Sequence, residues 1–487
     1  MMTITTLIGL YTSRVVLRQL GFTDSGIYNV VGGMVLFVSF VQIAMANATN
    51  RYLNVAIGAG DKENMQRTFN TSYFLCVLCS LLLVVICEAG GVWYMGHAMK
   101  IPAERFEAAK WVFHISVATM VAVMMSSPYN SLIYAHERMH VFAYITVVES
   151  IARLFIALSI PLFYTDHLVI YAILIFAVQV LVRLAYAIYS RRNFEECRIS
   201  FSLDKSIFHS MLKFSSYNIF TGLGMMATGH GLNVLLSAFY PPVINAARSI
   251  SIQVQNLMTK FMQSFMQATN PQITKLYVEN ALEDMHRMVS STARYSFYLV
   301  LLISLPLLLE TESLLTLWLI KYPDYTISFC RYIILITMLD GLVYPFLVGA
   351  AANGRVNVYY TVMGLLLFSV IPLAWLGLKL GYGPTTVYVV HLFVAIVVCV
   401  WRIVYGARMF KYKMSRFPRE VLWPIVKVTF FAVVPSLAVH AILPGGNMGI
   451  SIVNCILSVL FTMISVWYVG MSNAEHDYII KNIKSRL

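Results

Sequence analysis

Apolar stretches of membrane-spanning length follow one another along almost the whole chain, with short polar connections between them. A helix needs about 20 predominantly apolar residues to cross the hydrocarbon core of a bilayer, and about fourteen segments reach that length. We predict helices over 1–20, 27–47, 71–95, 108–133, 141–164, 168–189, 214–239, 243–269, 295–319, 327–352, 359–380, 386–407, 423–443 and 450–471. The pattern therefore predicts an all-α polytopic membrane protein.

The second half of the chain repeats the first. The run Ala-Thr-Asn at 48–50 recurs at 268–270, about 220 positions later, and such self-similarity indicates an internal duplication. We predict two pseudo-symmetric six-helix lobes, 1–190 and 214–407, with a basic cytoplasmic linker over 191–213 and two additional helices plus a cytoplasmic tail over 408–487. Two repeated helical lobes are typical of transporters. By this alignment helix 1 is short, and we expect a few natural residues to precede Met1.

Composition and charge agree with this prediction. Hydrophobic residues make up 59% of the chain and charged residues 12%, which is too few charges to cover a water-facing surface. Basic residues crowd every second connection, chiefly 191–213, 408–419 and 481–486, so the positive-inside rule places both termini in the cytoplasm. The net charge of +13 follows from this asymmetry, and we expect no nucleic-acid partner. The short connections leave no room for a soluble catalytic domain.

Basic residues lie inside the first predicted helix. Arg14 and Arg18 are one turn apart, and burying each near the bilayer centre costs about 2.5–3.5 kcal/mol on insertion scales. The two side chains either snorkel to an interface or face a water-filled cavity. Arg51, at the inner end of the second helix, would extend the same basic surface toward the cytoplasm.

The eighth predicted helix carries a polar stripe. Plotted at about 3.6 residues per turn, its polar residues share one side of the helix. They are Asn245, Arg248, Gln255, Asn256, Thr259, Lys260, Gln263 and Gln267. Such a stripe either joins helices by hydrogen bonds or lines a solvated cavity for a sugar with an anionic group.

Acidic residues in or near the apolar helices are candidates for ion coupling. Glu88 and Glu310 correspond in the repeat, and the nearby Trp residues place both near the outer interface. Glu149 and Arg153 are spaced to neutralise each other, and Asp340 is the best candidate for binding a cation or proton. His and Cys residues lack metal-ligand spacing and no P-loop motif occurs, so we expect neither a metal nor a nucleotide cofactor.

Three motifs carry a family resemblance. The run from Tyr11 to Val31, the motif Ala-His-Glu-Arg-Met at 135–139 and the motif Asn-Ala-Ala-Arg at 245–248 resemble polysaccharide transporters of the multidrug/oligosaccharidyl-lipid/polysaccharide (MOP) flippase superfamily. The resemblance covers essentially the whole chain and is greatest to the lipopolysaccharide O-antigen flippases of Gram-negative bacteria. It implies two six-helix lobes around a cationic cavity, consistent with Arg14, Arg18 and Arg248. It also implies that an undecaprenyl-diphosphate-linked oligosaccharide is turned over from the inner to the outer leaflet.

Three functions remain open at this point. A flippase explains the basic intramembrane residues, because Arg pairs with phosphate bidentately. A MATE-type multidrug or cation exporter, driven by Na⁺ or H⁺, would favour acidic cavity residues, and a membrane enzyme of glycan assembly would need clustered carboxylates or an extended loop. We predict a monomeric, non-enzymatic protein of the bacterial inner membrane. Its expected partners are a lipid-linked oligosaccharide, the bilayer lipids and other surface-polysaccharide assembly proteins.

Overall fold

A computed structural model describes residues 2–37, 40–58, 61–136, 138–197, 204–352, 357–444, 447–471 and 475–476, and some side chains within these ranges, including that of Arg51, lie outside the description. The described residues form helices joined by short connections and contain no strand. The all-α polytopic membrane fold predicted from the sequence is therefore confirmed.

The first half of the chain contains seven helices in the described ranges. They are α1 (Met2–Phe37), α2 (Phe40–Gly58), α3 (Lys62–His97), α4 (Phe106–Met125), α5 (Ser127–Ala135), α6 (Met139–Ser159) and α7 (His167–Asn193).

The second half begins with α8 (Lys205–Met226), which runs through a π-helical turn at Ala227–Gly231 into α9 (Leu232–Phe239). The helices that follow are α10 (Pro242–Val278), α11 (Leu282–Leu309), α12 (Thr311–Leu319), α13 (Thr326–Ala352), α14 (Asn357–Phe368), α15 (Val370–Lys379) and α16 (Thr386–Met409). Two further helices, α17 (Trp423–Ile442) and α18 (Met448–Ser465), close the described chain. Ten helical segments of the described part are long and apolar enough to cross a bilayer.

The first two predicted spans are joined by a kink and not by a loop. Gly21 has φ 74°, a left-handed conformation that glycine adopts without a steric penalty, and the helix continues on both sides of it. The stretch from Phe22 to Gly58, shifted by the 220 positions that separate Asn29 from Ser249, coincides with α10. The helical stretch that follows Gly21 in the first half therefore corresponds to α10 in the second half.

Two compact units form in the described chain. Unit 1 comprises Met1–Ser249 with Tyr360–Val387, and unit 2 comprises Ile250–Tyr359 with Tyr388–Leu487. Unit 1 packs around buried residues such as Ile27, Leu75 and Phe113, and unit 2 around residues such as Val289 and Phe346. These contact units do not follow the predicted lobe boundaries, which stay a prediction.

Each unit has one end rich in basic connections, called its basic end here. In unit 1 Lys62 binds Glu195 there at 2.9 Å, and in unit 2 Arg416 binds Glu283 at 2.6 Å. Both pairs join residues 133 positions apart, as expected when a duplicated chain folds twice in the same way. The other end of each unit is called its opposite end.

Candidate functional site: a cationic surface and a closed end in unit 1

Arg14 and Arg18 lie on one exposed stripe of α1. Leu7, Tyr11 and Arg18 are exposed and Arg14 is half-buried, at the spacing of one helix face, while Val15, Leu17 and Leu20 on the other side are buried. Neither guanidinium forms an ion pair with a carboxylate among the described residues. The structure therefore places the two arginines on one surface of unit 1, and their role in substrate binding stays a prediction.

Arg248 occupies a buried position at the start of α10, with only 2% of its surface exposed. Its Nη2 donates to the carbonyl oxygens of Thr228 at 2.6 Å and Gly229 at 2.8 Å, and its Nη1 donates to Asn233 Oδ1 at 3.2 Å. Both carbonyls belong to the π-helical turn, where the i to i+5 pattern interrupts the regular α-helical ladder. The turn thus supplies the acceptors without which a buried guanidinium would be costly.

Polar atoms next to this arginine lack protein partners. Asn245 is fully buried and neither of its amide atoms is hydrogen-bonded within the described part of the chain; the same holds for His230 Nδ1. Gly33 of α1 packs here, since a Cβ at this glycine would lie 3.4 Å from Asn233 Nδ2. Unsatisfied buried polar atoms are rare in folded proteins and mark a place for water or a polar ligand group.

The rest of the predicted stripe lies farther along α10, in unit 2. Gln255 is half-buried, and Asn256, Lys260 and Gln263 are exposed. The other side of the same helix packs three buried methionines into the core: Met258, Met262 and Met266. The amphipathic pattern predicted for this helix is therefore present in the fold. Its role as a cavity lining stays a prediction, as does that of Arg51.

Two of the predicted acidic residues, Glu88 and Asp340, already lie beside basic side chains. Glu88 lies 3.0 Å from His114, and Asp340 lies 3.3 Å from Arg402 of α16. Arg402 is itself buried and also donates to the Tyr359 hydroxyl. A cation that bound Asp340 would have to compete with this guanidinium.

Glu310 is a buried carboxylate of unit 2, with 2% of its surface exposed. His440 Nδ1 and Asn454 Nδ2 each lie 2.8 Å from Oε1, and the Ser313 hydroxyl donates to Oε2 at 3.1 Å. The donors come from α12, α17 and α18, so this carboxylate ties the two C-terminal helices to the end of α11. With three hydrogen-bond partners from three helices, the Glu310 carboxylate stabilises the packing of these helices.

Arg183 belongs to a hydrogen-bond network that was not predicted from the sequence. Glu149 accepts from Arg153 at 2.8 Å, as its spacing predicted, and also from Gln179 Nε2 at 2.8 Å. Arg183 in turn donates to Gln179 Oε1 at 2.8 Å. The network across α6 and α7 thus contains two arginines and one carboxylate, with Gln179 between Arg183 and Glu149, which leaves it cationic. The signal was available, because Arg183 falls inside a predicted apolar span.

Connections at the opposite end of unit 1 are held by Arg105. Its Nε donates to Asp24 Oδ1 at 2.8 Å, and its Nη1 donates to Asp166 Oδ2 at 2.6 Å. Burial raises the pKa of Asp166, but hydrogen bonds and charge from Arg105 outweigh burial and hold that pKa below its usual value. For Asp24 burial outweighs the same guanidinium, so its pKa is raised. One arginine therefore bridges two carboxylates whose pKa values are shifted in opposite directions.

The same end of unit 1 is closed by contacts between the first and second repeats. Tyr94 of α3 donates its hydroxyl to the Val234 carbonyl at 2.6 Å, and the Lys100 amide donates to the Ser237 carbonyl at 3.0 Å. Asn29 Nδ2 donates to Ser249 Oγ at 3.2 Å, joining two positions that correspond in the repeat. In this structure the opposite end of unit 1 is therefore shut.

Comparison with known proteins places this geometry in a fold. No family model matches the chain, and no curated protein matches it. The lipid II flippase MurJ in its inward closed conformation superposes with a TM-score of 0.70 at 12% identity, covering 95% of this chain and 96% of MurJ. An inward-facing multidrug MATE transporter of the MOP superfamily gives 0.68 at 14% identity, covering 84% and 94%, and an outward-facing one gives 0.55 at 16%, covering 84% and 95%. The chain has the fold of these transporters.

Proposed function

We propose that this chain is a flippase that moves a polyprenyl-diphosphate-linked oligosaccharide, such as an O-antigen or other surface-polysaccharide unit, from the cytoplasmic to the periplasmic leaflet. The proposal rests chiefly on one asymmetry of charge. In the described helices Glu149 and Asp340 are paired with arginines and Glu88 and Glu310 with histidines. Arg14 and Arg18, which share one face of α1, have no acidic partner there, whereas Arg331, which also has none, is a single arginine on α13. A substrate that satisfies such a surface is an anion.

The chemistry of a diphosphate suits these residues. Arginine offers a planar fork of N–H donors that pairs bidentately with phosphate oxygens, and the pairing is stronger in a site shielded from water. The exposed amides and Lys260 of α10 would offer hydrogen bonds to sugar hydroxyls. Likeness to a lipid II flippase supports this proposal at the level of fold alone.

Orientation follows from the basic ends. By the positive-inside rule we place them, and both termini, in the cytoplasm, with the protein in the bacterial inner membrane. The closed opposite end of unit 1 then faces the periplasm. A negative-inside potential favours outward movement of an anion by about 2.3 kcal/mol per charge per 100 mV, so no nucleotide is needed.

A cation exporter of the same fold is the alternative, since multidrug MATE transporters are also structural neighbours. Such an exporter needs an intramembrane carboxylate that can bind a cation. The pairing of Asp340 with Arg402 speaks against that role for the best candidate.

Transport in proteoliposomes tests the proposal. A fluorescent glycan on a polyprenyl diphosphate is added to one leaflet, and its arrival in the other leaflet is followed by quenching. We expect Arg14→Ala and Arg18→Ala each to reduce the rate sharply and the Lys variants to retain part of it, because the charge survives and the fork is lost. Arg331→Ala, which removes an exposed arginine at the opposite end of unit 2, serves as the matched control. Normal rates in both alanine variants would refute a phosphate-binding role.

A further inference from the structure

A cavity of about 690 Å³ opens in the opposite end of unit 1. Its walls are mostly apolar, with Tyr94 and His97 as their polar residues, and they include two partly exposed indoles, Trp93 and Trp375. Small or aliphatic side chains such as Ala238 and Leu235 complete the lining. The volume lies within the range of about 300–1,000 Å³ typical of ligand sites. A cavity with this lining favours a hydrocarbon ligand.

The walls come from both halves of the duplicated chain. Trp93 belongs to α3 of the first repeat, whereas Leu235 and Trp375 belong to α9 and α15 of the second. The cavity lies beside the Tyr94–Val234 hydrogen bond that closes this end, and both of these residues line it. A ligand here would occupy the seam that must part if the opposite end is to open.

Two cations border the apolar cavity. Lys379 Nζ lies 4.8 Å from the Trp375 ring centroid, and Lys100 Nζ donates to the carbonyl of Phe239, a wall residue, at 2.8 Å. Neither ammonium forms an ion pair with a carboxylate in the described part of the chain. Tryptophans collect where hydrocarbon meets headgroups, so the cavity and its cations match an apolar chain below an anionic headgroup.

We propose that this cavity receives the isoprenoid chain of the lipid-linked substrate in the periplasmic leaflet, with its diphosphate beside Lys100 and Lys379. The proposal rests on the proposed function and names where the substrate's lipid chain is held. Free phosphate would gain nothing from the apolar walls. A resident phospholipid would lock two helices that must separate, whereas a substrate chain has to enter this seam together with its headgroup.

Photolabelling of the full-length protein in nanodiscs of neutral phospholipid tests the assignment. The probes are a polyprenyl diphosphate with a diazirine in the chain and a phosphatidylglycerol with a diazirine in one acyl chain, and labelled peptides are mapped by mass spectrometry. We expect the polyprenyl probe to label α3, α9 and α15 at the cavity walls in preference to the acyl probe. Ala238→Trp, which fills the cavity, should reduce this labelling about tenfold, the loss expected when about two methylene groups are displaced.

Lys379→Glu provides a second variant that leaves the apolar walls intact and should also weaken labelling. Its matched control is Lys427→Glu, because Lys427 lies over Trp423 at 5.3 Å in the same way but outside the cavity. Equal labelling by both probes, or labelling unchanged in Ala238→Trp and Lys379→Glu, would overturn the assignment. Transport at the normal rate without labelling of the walls would overturn it and leave the flippase standing. Absence of both polyprenyl diphosphate binding and transport would instead refute the proposed function.

Discussion

Arg248 is expected to hold the amino-terminal end of α10 closed against α9 and the π-helical turn. Its guanidinium donates three hydrogen bonds to groups of α9 and the π-helical turn, from a site that is 2% exposed. In Arg248→Lys the charge remains, but a single ammonium cannot reproduce the fork. Loss of one or two hydrogen bonds to a charged group, at about 1.5–3 kcal/mol each, should destabilise the closed arrangement by about 3 kcal/mol.

The lost free energy can be measured as an increase in the fraction of molecules that are open. A difference of about 3 kcal/mol corresponds to a shift of about 100-fold in the ratio of open to closed molecules. Ala246, which is fully buried in the first turns of α10, is replaced by cysteine in a protein whose seven native cysteines have been removed. Labelling of this cysteine by a membrane-impermeant maleimide, added at the opposite end, should proceed at a rate proportional to the open fraction.

We therefore expect Arg248→Lys to accelerate labelling by about two orders of magnitude. Asn233→Ala, which removes a single acceptor, should give a smaller acceleration of about tenfold. Arg331→Lys controls for general effects of the substitution. If labelling proceeds at the same rate in Arg248→Lys as in the parent protein, the hydrogen bonds do not hold this end closed and the reasoning fails.

Three further predictions concern the paired carboxylates. Glu310→Ala should lower the free energy of unfolding by about 3 kcal/mol, as measured by denaturant titration in detergent, because its buried donors lose their acceptor; an unchanged midpoint would contradict the structural role. Asp340→Asn should slow transport only moderately in vesicles. If transport depends strictly on Na⁺ or H⁺ and this variant abolishes that dependence, Asp340 is the coupling site. The stability that Asp166 contributes is present above its unfolded pKa of about 3.9 and is lost as pH falls through its lowered folded pKa. Asp24 has a raised folded pKa, so the stability that it contributes is present at low pH and is lost as pH rises through that pKa. Arg105→Met removes the cation beside both carboxylates, so we expect this variant to gain stability relative to the parent protein on acidification from about pH 7 to pH 5. Melting temperatures of variant and parent that change in parallel with pH would contradict this.

Most helix positions could be predicted from the sequence because a membrane helix leaves a long uninterrupted apolar signal. The polar stripe of α10 was predictable for the same reason, since 3.6-residue periodicity fixes which side chains share a face. The kink at Gly21 was not predicted. A single left-handed residue inside a helix has no periodic signature, and a glycine between two apolar runs equally suits a loop.

The environment of Arg248 lay beyond sequence reasoning for a related reason. A π-helical turn inserts one residue into a helix without changing its composition, so the freed carbonyls of Thr228 and Gly229 are visible only in three dimensions. The partners of the acidic residues were hidden too, because Asp340 and Arg402 are 62 positions apart and Glu310 and His440 are 130 apart. Only the local pair of Glu149 and Arg153 could be foreseen.

The pairing of these carboxylates bears on the role of Arg14 and Arg18. A bilayer solvates charge poorly, and Glu88, Glu149, Glu310 and Asp340 each lie beside a basic side chain from another turn or helix. Buried arginines find acceptors within the fold, carbonyl oxygens for Arg248 and a carboxylate for Arg153. No such acceptor among the described residues holds Arg14 or Arg18. Their exposed position on α1 without an acidic partner in the described chain is the arrangement of a surface whose counter-charge arrives with the substrate. A diphosphate that carries its own negative charge and departs with it satisfies that requirement, and a permanently bound partner does not.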